Sequence, residues 1–221
     1  MEWYNPPVML NLTLPVFISR IFTLVVAFTV HEFAHAWTAD QLGDDTPRFN
    51  GRLTLDPRAH LDIVGSLLLL IVGFGWAKPV PINPYALQRR TPAGTMLVSV
   101  AGPFSNLVMA ILASLPFRAG LLDPFTPSGE ILPSASSLLL EFIFINMILL
   151  FFNLVPLAPL DGEKVAEYFL PPSGQDFLAR IRPYGPMILL FLLFLTPRMG
   201  LDVFSWLVVG PARQVLQMLV Q

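Results

Sequence analysis

His31-Glu32-Phe33-Ala34-His35 brings two imidazoles and one carboxylate into a single turn of an otherwise apolar segment. Residues four apart on a helix share a face about one turn apart, so the two rings can grip one metal ion. Glu32 adjoins the first ring without needing to bind the ion. From there it can take a proton from a water whose pKa the ion lowers to about 7, and later hand that proton to a leaving amine. Two metal ligands and a general base would then occupy one turn, which is the equipment of a metal-dependent hydrolase. The same pentapeptide pattern arises often by chance in soluble helices. The surroundings here are different, because an Asp or Lys inside an apolar helix costs roughly 2.5–3.5 kcal/mol on insertion scales, and ionisable groups there default to a functional reading.

A catalytic zinc takes three protein ligands and keeps one position open, so a third ligand is required. The chain contains no cysteine, which restricts the choice to His, Asp or Glu and removes any disulfide framework. His60, Asp161 and Glu163 are the candidates. His60 sits in Asp56-Pro57-Arg58-Ala59-His60, which reads as a surface loop, and ranks below Asp161. Asp161 closes an apolar run interrupted by Pro156 and Pro159, prolines that must break or kink a helix. Broken helices at membrane depth are tolerated where they line a cavity. Asp161 can equally cap a helix over 162–169. Asn146 and Asn153 share a face of the same run. Packing through an interhelical hydrogen bond is the ordinary role of Asn146. Asn153, nearer the proline break, is a candidate to hold substrate or polarise its carbonyl. Ala101-Gly102-Pro103-Phe104-Ser105-Asn106 opens another apolar segment with small residues that permit close helix approach. Packing is the expected role there too, with Asn106 the lesser substrate-binding candidate.

The elements that must position these groups are membrane helices. Of 221 residues, 54% are hydrophobic and only 13% charged, outside ordinary soluble composition. With a net charge of -2 and no basic run, the chain lacks the electrostatic footprint of a nucleic-acid binder. Its N-terminus has no basic region and no small-residue cleavage site, so the first apolar segment is expected to persist. A spanning helix needs about 20 apolar residues. Residues 14–38, 93–117 and 137–158 qualify, and 184–196 with 201–219 form a pair split by Thr196-Pro197-Arg198-Met199-Gly200, a turn that predicts a tight helical hairpin.

The run 61–76 is short and glycine-containing, as re-entrant segments are. If it re-enters, Arg48, Arg52, Arg58, Lys78, Arg89, Arg90, Lys164, Arg180, Arg182 and Arg213 gather on one side, leaving Arg20, Arg118 and Arg198 on the other. If it crosses, the same thirteen charges split eight to five. The ten-to-three split obeys the positive-inside rule better and sets the histidine turn and the Asp161 region together near the cytoplasmic face.

Around Asn50-Gly51 the alternation in 47–55 predicts a β hairpin. Three prolines in 78–84 dictate an extended edge. The expected fold is therefore an all-α polytopic membrane protein forming one domain over 1–221. It has about five transmembrane helices, a re-entrant segment 61–76 and a small β hairpin or edge element on the cytoplasmic side.

At these residues the chain resembles the site-2 proteases, the intramembrane zinc metalloproteases. His31-Glu32-Phe33-Ala34-His35-Ala36-Trp37 resembles the family's metal-binding helix, and Asn153 through Asp161-Gly162 its downstream motif ending in Leu-Asp-Gly. Gly51-Arg52-Leu53-Thr54-Leu55, Gly75-Trp76-Ala77-Lys78-Pro79-Val80-Pro81 and Ala101-Gly102-Pro103 resemble the compact bacterial branch without PDZ or CBS domains, so the resemblance covers about residues 20 to 170. It implies one Zn2+ per chain on His31, His35 and Asp161, with Glu32 catalytic and Asn153 orienting substrate or water. It also implies a bacterial plasma-membrane protease acting on transmembrane-helix proteins within the lipid bilayer. The chain departs from the family at Glu163, where a second glycine often follows the aspartate.

A substrate helix would have to unwind, because a helical carbonyl is shielded and already hydrogen-bonded, and could then pair with the 47–55 hairpin or the 78–84 edge. Two rival readings are an inactive metal-binding escort of membrane helices and a small metal transporter. The first predicts loss of the glutamate or third ligand, and the second predicts ligands along a through-path.

Overall fold

A computed structural model describes residues 13–62, 65 and 75–221. Thr13, in extended conformation, precedes helix α1 (Leu14–Gln41), which carries Pro15 in its first turn, where a missing N–H leaves no bond unmade. After α1 the chain turns through Gly43, at φ 87°, a left-handed conformation that favours glycine. Asp44 secures that turn. Its carboxylate accepts hydrogen bonds from the backbone N–H groups of Thr46 at 3.0 Å and Asn83 at 2.6 Å, tying the end of α1 to the proline-rich edge.

The hairpin expected over 47–55 does not form, and the described residues contain no strand, only an isolated bridge between Leu61 and Ala77. Thr46–Phe49 is instead a single helical turn, α2, with Pro47 at its start. Gly51 takes φ 67°. A left-handed glycine suits the residue after a helix as well as it suits a hairpin turn, and the proline at the start of α2 selects the helix. A second short turn, α3 (Pro57–His60), is capped by Asp56.

The Leu61–Ala77 bridge and the bond from Lys78 N–H to the His60 carbonyl at 2.8 Å join the two ends of the run expected to re-enter. Most of that run, 63–64 and 66–74, lies outside the described residues. The polypeptide leading into α4 (Pro84–Arg90) forms no helix or strand, and Asn83, in extended conformation, caps α4 by accepting from the N–H groups of Tyr85 and Ala86.

Helices α5 (Gly94–Arg118) and α6 (Ala135–Asn153) follow. Ser134 caps α6 by accepting from Ser137 N–H at 3.1 Å. The proline break leads to α7 (Asp161–Phe169) and then to α8 (Pro172–Leu195), and the chain ends in a π-helical turn at Ser205–Val209 and helix α9 (Gly210–Val220). Among the described residues four helices, α1, α5, α6 and α8, are long and apolar enough to cross a membrane. The five expected spans reduce to these four. Residues 172–183 extend the fourth beyond the apolar core 184–196, whereas the last helical stretch, from Ser205 to Val220, is shorter than any of the four. The turn between them is tight, with Gly200 at φ 78° and Leu201 N–H bonded to the Thr196 carbonyl at 2.9 Å.

Small residues let the helices approach closely, which matters in lipid because apolar surface gains little there by leaving a solvent as apolar as itself. Ala110, Ile143, Met147 and Ala212 are fully buried where α5, α6 and α9 meet, and Ala27 packs with Ile145 and Leu149 between α1 and α6. Arg20 Nε donates to Glu141 Oε1 at 2.7 Å, a charge-paired link between α1 and α6. Phe104, Ile111, Leu112 and Leu115 face outward from α5, a surface suited to hydrocarbon.

Candidate metal centre and active site

Helical spacing on α1 does what the sequence pattern requires. The rings of His31 and His35 meet edge to face with centroids 4.7 Å apart, and their Nε2 atoms are 3.0 Å apart. Asp161, at the start of α7, brings Oδ2 to 3.2 Å from His31 Nε2 and 3.3 Å from His35 Nε2. Among the described residues these three form the one group of His, Asp and Glu side chains spaced to hold a metal ion.

Asp161 arrives there because the chain between α6 and α7 is packed without slack. A Cβ on Gly162 would lie 2.3 Å from the Leu154 carbonyl oxygen, and one on Gly185 would lie 2.0 Å from that of Ala158. Leu157, Leu160 and Leu189 are buried together beneath this segment. The glycine of Leu160-Asp161-Gly162 is thus required by close approach of backbone to backbone. Gly162→Ala is expected to lower stability by about 1–3 kcal/mol through overpacking, read as a reduced midpoint in denaturant titrations of the detergent-solubilised protein.

The donor chemistry fits a cation. His35 Nδ1 lies 2.7 Å from the Val98 carbonyl oxygen, which can only accept, so Nδ1 carries the proton and Nε2 of the neutral ring presents a lone pair. That lone pair faces His31 Nε2 and a carboxylate oxygen. A tetrahedral ion with nitrogen and oxygen ligands at about 2.0–2.1 Å holds them about 3.3 Å apart, close to the 3.0, 3.2 and 3.3 Å edges seen here. Asp161 adds a carboxylate oxygen to the two ring nitrogens, so the three ligand atoms form a donor set with no proton of their own between them.

Glu32 is buried beside this triangle, on the wall of a cavity of about 600 Å3. The remaining wall is largely apolar and includes Phe28, Ile148, Phe152, Leu193 and Phe204. Asn153 also lines the cavity, its Nδ2 donating to the Leu149 carbonyl at 3.0 Å. Pro79, Val80 and Ile82 bring the extended 78–84 segment to the same space.

Asn106 does not reach the cavity. It is fully buried behind His31, with Oδ1 2.6 Å from His31 Nδ1 and Nδ2 donating to Asn146 at 2.8 Å, so both ends of its amide are engaged. His60 is fully buried, its Nε2 donating to the Thr54 carbonyl at 2.7 Å. Glu163 pairs with Arg182, tying α7 to α8. Neither belongs to the ligand group.

Two contributors carried weak sequence signals. Gly102 lies directly against both ligand rings, and its small-residue context signalled a close approach without saying to what. Arg52 is buried and donates to the carbonyls of Ala59, Lys78 and Pro79, fastening the extended edge at the cavity. Burial pushes its pKa down while the nearby Glu32 carboxylate opposes that shift.

No family model matches the chain, and no solved structure matches it. Curated proteins do. The candidate zinc metalloprotease YwhC of Bacillus subtilis is 42% identical over 181 residues, spanning 80% of each chain. The candidate zinc metalloprotease Rip2 of Mycobacterium tuberculosis is 34% identical over 198 residues, 87% of this chain and 73% of Rip2. The candidate zinc metalloprotease MJ0611 of Methanocaldococcus jannaschii is 28% identical over 165 residues, 72% of this chain and 74% of the relative. With the ligand triangle, these similarities give Zn2+ as the cofactor.

Proposed function

Because the chain belongs to the zinc metalloprotease family that its motifs resemble, the site-2 proteases, we propose that it hydrolyses peptide bonds within or beside transmembrane segments of other membrane proteins. The observation that carries this reading is the convergence of His31, His35 and Asp161 beside Glu32 on an apolar cavity. Bound to those three ligands, zinc would polarise the scissile carbonyl and make water acidic enough to lose a proton near neutral pH. Glu32 takes that proton at a carboxylate oxygen and delivers it to the leaving nitrogen. Asn153, from the cavity wall, orients the substrate carbonyl.

The apolar wall suits a hydrophobic peptide segment. The substrate enters unwound and pairs with the 78–84 edge, whose carbonyls at Lys78 and Pro79 are held by Arg52. The helical turn at Thr46–Phe49 makes the 47–55 stretch the less suitable pairing partner. With 61–76 re-entrant, six basic residues lie between α1 and α5 and Lys164 between α6 and α8, against none between α5 and α6, which supports insertion in a bacterial plasma membrane with the site toward the cytoplasm. No observation favours the escort or transporter readings, since Glu32 and the third ligand are both present and the ligands form one compact triangle rather than a path.

The purified protein, incubated with a panel of transmembrane peptides, should cut some of them at positions that mass spectrometry can map. A chelator should abolish cutting, and added zinc should restore it. Cleavage that persists unchanged in chelator, or zinc uptake with no cleavage of any membrane peptide, would sink the proposal.

A further inference from the structure

We propose that Asn146, acting through Asn106, is a positioning residue that sets the tautomer and ring orientation of His31, so that three membrane helices jointly prepare one metal ligand. This rests on the zinc reading given above.

The inference follows from a fixed starting point. The Phe142 carbonyl can only accept, and Asn146 bonds to it through Nδ2 at 2.8 Å. The Oδ1 of Asn146 must therefore face the next group, Asn106, which answers with its own Nδ2 at 2.8 Å. That orientation turns Asn106 Oδ1 toward His31 Nδ1, 2.6 Å away. An amide oxygen can only accept, so Nδ1 must carry the proton and Nε2 of the neutral ring is left with its lone pair in the ligand triangle. Both asparagines are 0% exposed, so bulk water is not positioned to replace a lost partner.

Reversing Asn106 alone would set its N–H group against His31 Nδ1 and its oxygen against that of Asn146. His31 would then favour a proton on Nε2, where the metal must bind. The chain of donors thus converts a backbone carbonyl on α6 into a tautomer choice on α1, by way of α5. It parallels the second arm of the site, where the Val98 carbonyl on α5 orients His35 at 2.7 Å. Outer partners of this kind typically change metal affinity by about 10–100-fold when removed.

A packing role would predict something different, which makes the relay testable. In the double variant Asn106→Leu with Asn146→Leu, both polar partners disappear together and the branched side-chain shape is kept, so neither amide is left unpaired. Zinc affinity, measured by competition with a chromophoric chelator in detergent, is expected to fall about 10–100-fold, while the melting temperature of the metal-free protein stays near the parent value. Asn106→Asp keeps an acceptor for the His31 Nδ1 proton and is expected to remain within about threefold of the parent. The relay is overturned if the double variant binds zinc as tightly as the parent, or if the folded aspartate variant loses zinc as far as the leucine variant does. If the parent protein itself takes up no zinc, the metal reading fails instead.

Discussion

Replacing Glu32 by glutamine is expected to leave zinc bound and to slow peptide hydrolysis by about 10²–10⁴-fold, the usual contribution of a positioned general base. Glutamine has nearly the same size and keeps an oxygen in place, but its amide cannot accept the proton that water must lose. The three ligand atoms lie on other residues, within 3.0–3.3 Å of one another, so the substitution removes no metal contact. The two halves of this expectation are measured separately, as zinc content per chain by elemental analysis and as initial rates of transmembrane-peptide cleavage. A glutamine variant that cleaves within tenfold of the parent would remove Glu32 from the proton-transfer role. One that loses its zinc would show instead that the carboxylate is needed to build the site.

How much of this was legible beforehand depends on whether the governing contacts are local. His31, Glu32 and His35 lie within one helical turn, so spacing alone predicts that they converge. Asp161 was harder, because its partner His31 is 130 residues away, yet the flanking prolines marked the place where a membrane helix must open and expose polar groups. The apolar runs at 14–38, 93–117 and 137–158 map onto α1, α5 and α6 because length and hydropathy nearly suffice to define a spanning helix. The fourth span was underestimated, since half of α8 is amphipathic and only its second half reads as apolar.

The failures have equally specific causes. Asn50-Gly51 was assigned to a hairpin because a left-handed glycine fits two structures, and the decision lay with Thr46-Pro47 just upstream. The partners of Asn106 were not legible, because a buried amide looks the same in sequence whatever it faces. Its bonds run to His31, 75 residues away, and to Asn146, 40 residues away, and no periodicity reports them. Arg52 reads as one more cytoplasmic positive charge until the three carbonyls around it are seen. Charge counting speaks to its side of the membrane but not to its work.

Gly102 is the residue at which packing and chemistry are hardest to separate, and a single methyl group there is expected to remove the metal. A Cβ at this position would stand 2.4 Å from His35 Nε2 and 2.6 Å from His31 Nε2, distances that force something to move. The far end of a side chain can often give way, but these rings are held at their other nitrogens. His35 is anchored on the Val98 carbonyl at 2.7 Å, which lies on α5 one turn before Gly102 and moves with it. His31 is anchored on Asn106, on the same helix one turn after. If α5 withdraws, it loosens both anchors, and if it stays, both rings must swing out of the ligand triangle. Either relaxation disrupts the site, so Gly102→Ala is expected to weaken zinc binding by about 100-fold and to abolish peptide cleavage, with helical circular dichroism unchanged. Serine at 102 should do the same, because the clash begins at Cβ and polarity does not relieve it. Full zinc occupancy in the alanine variant at micromolar metal would show that α5 can shift without cost to the ligands, and that the close approach at Gly102 serves packing alone.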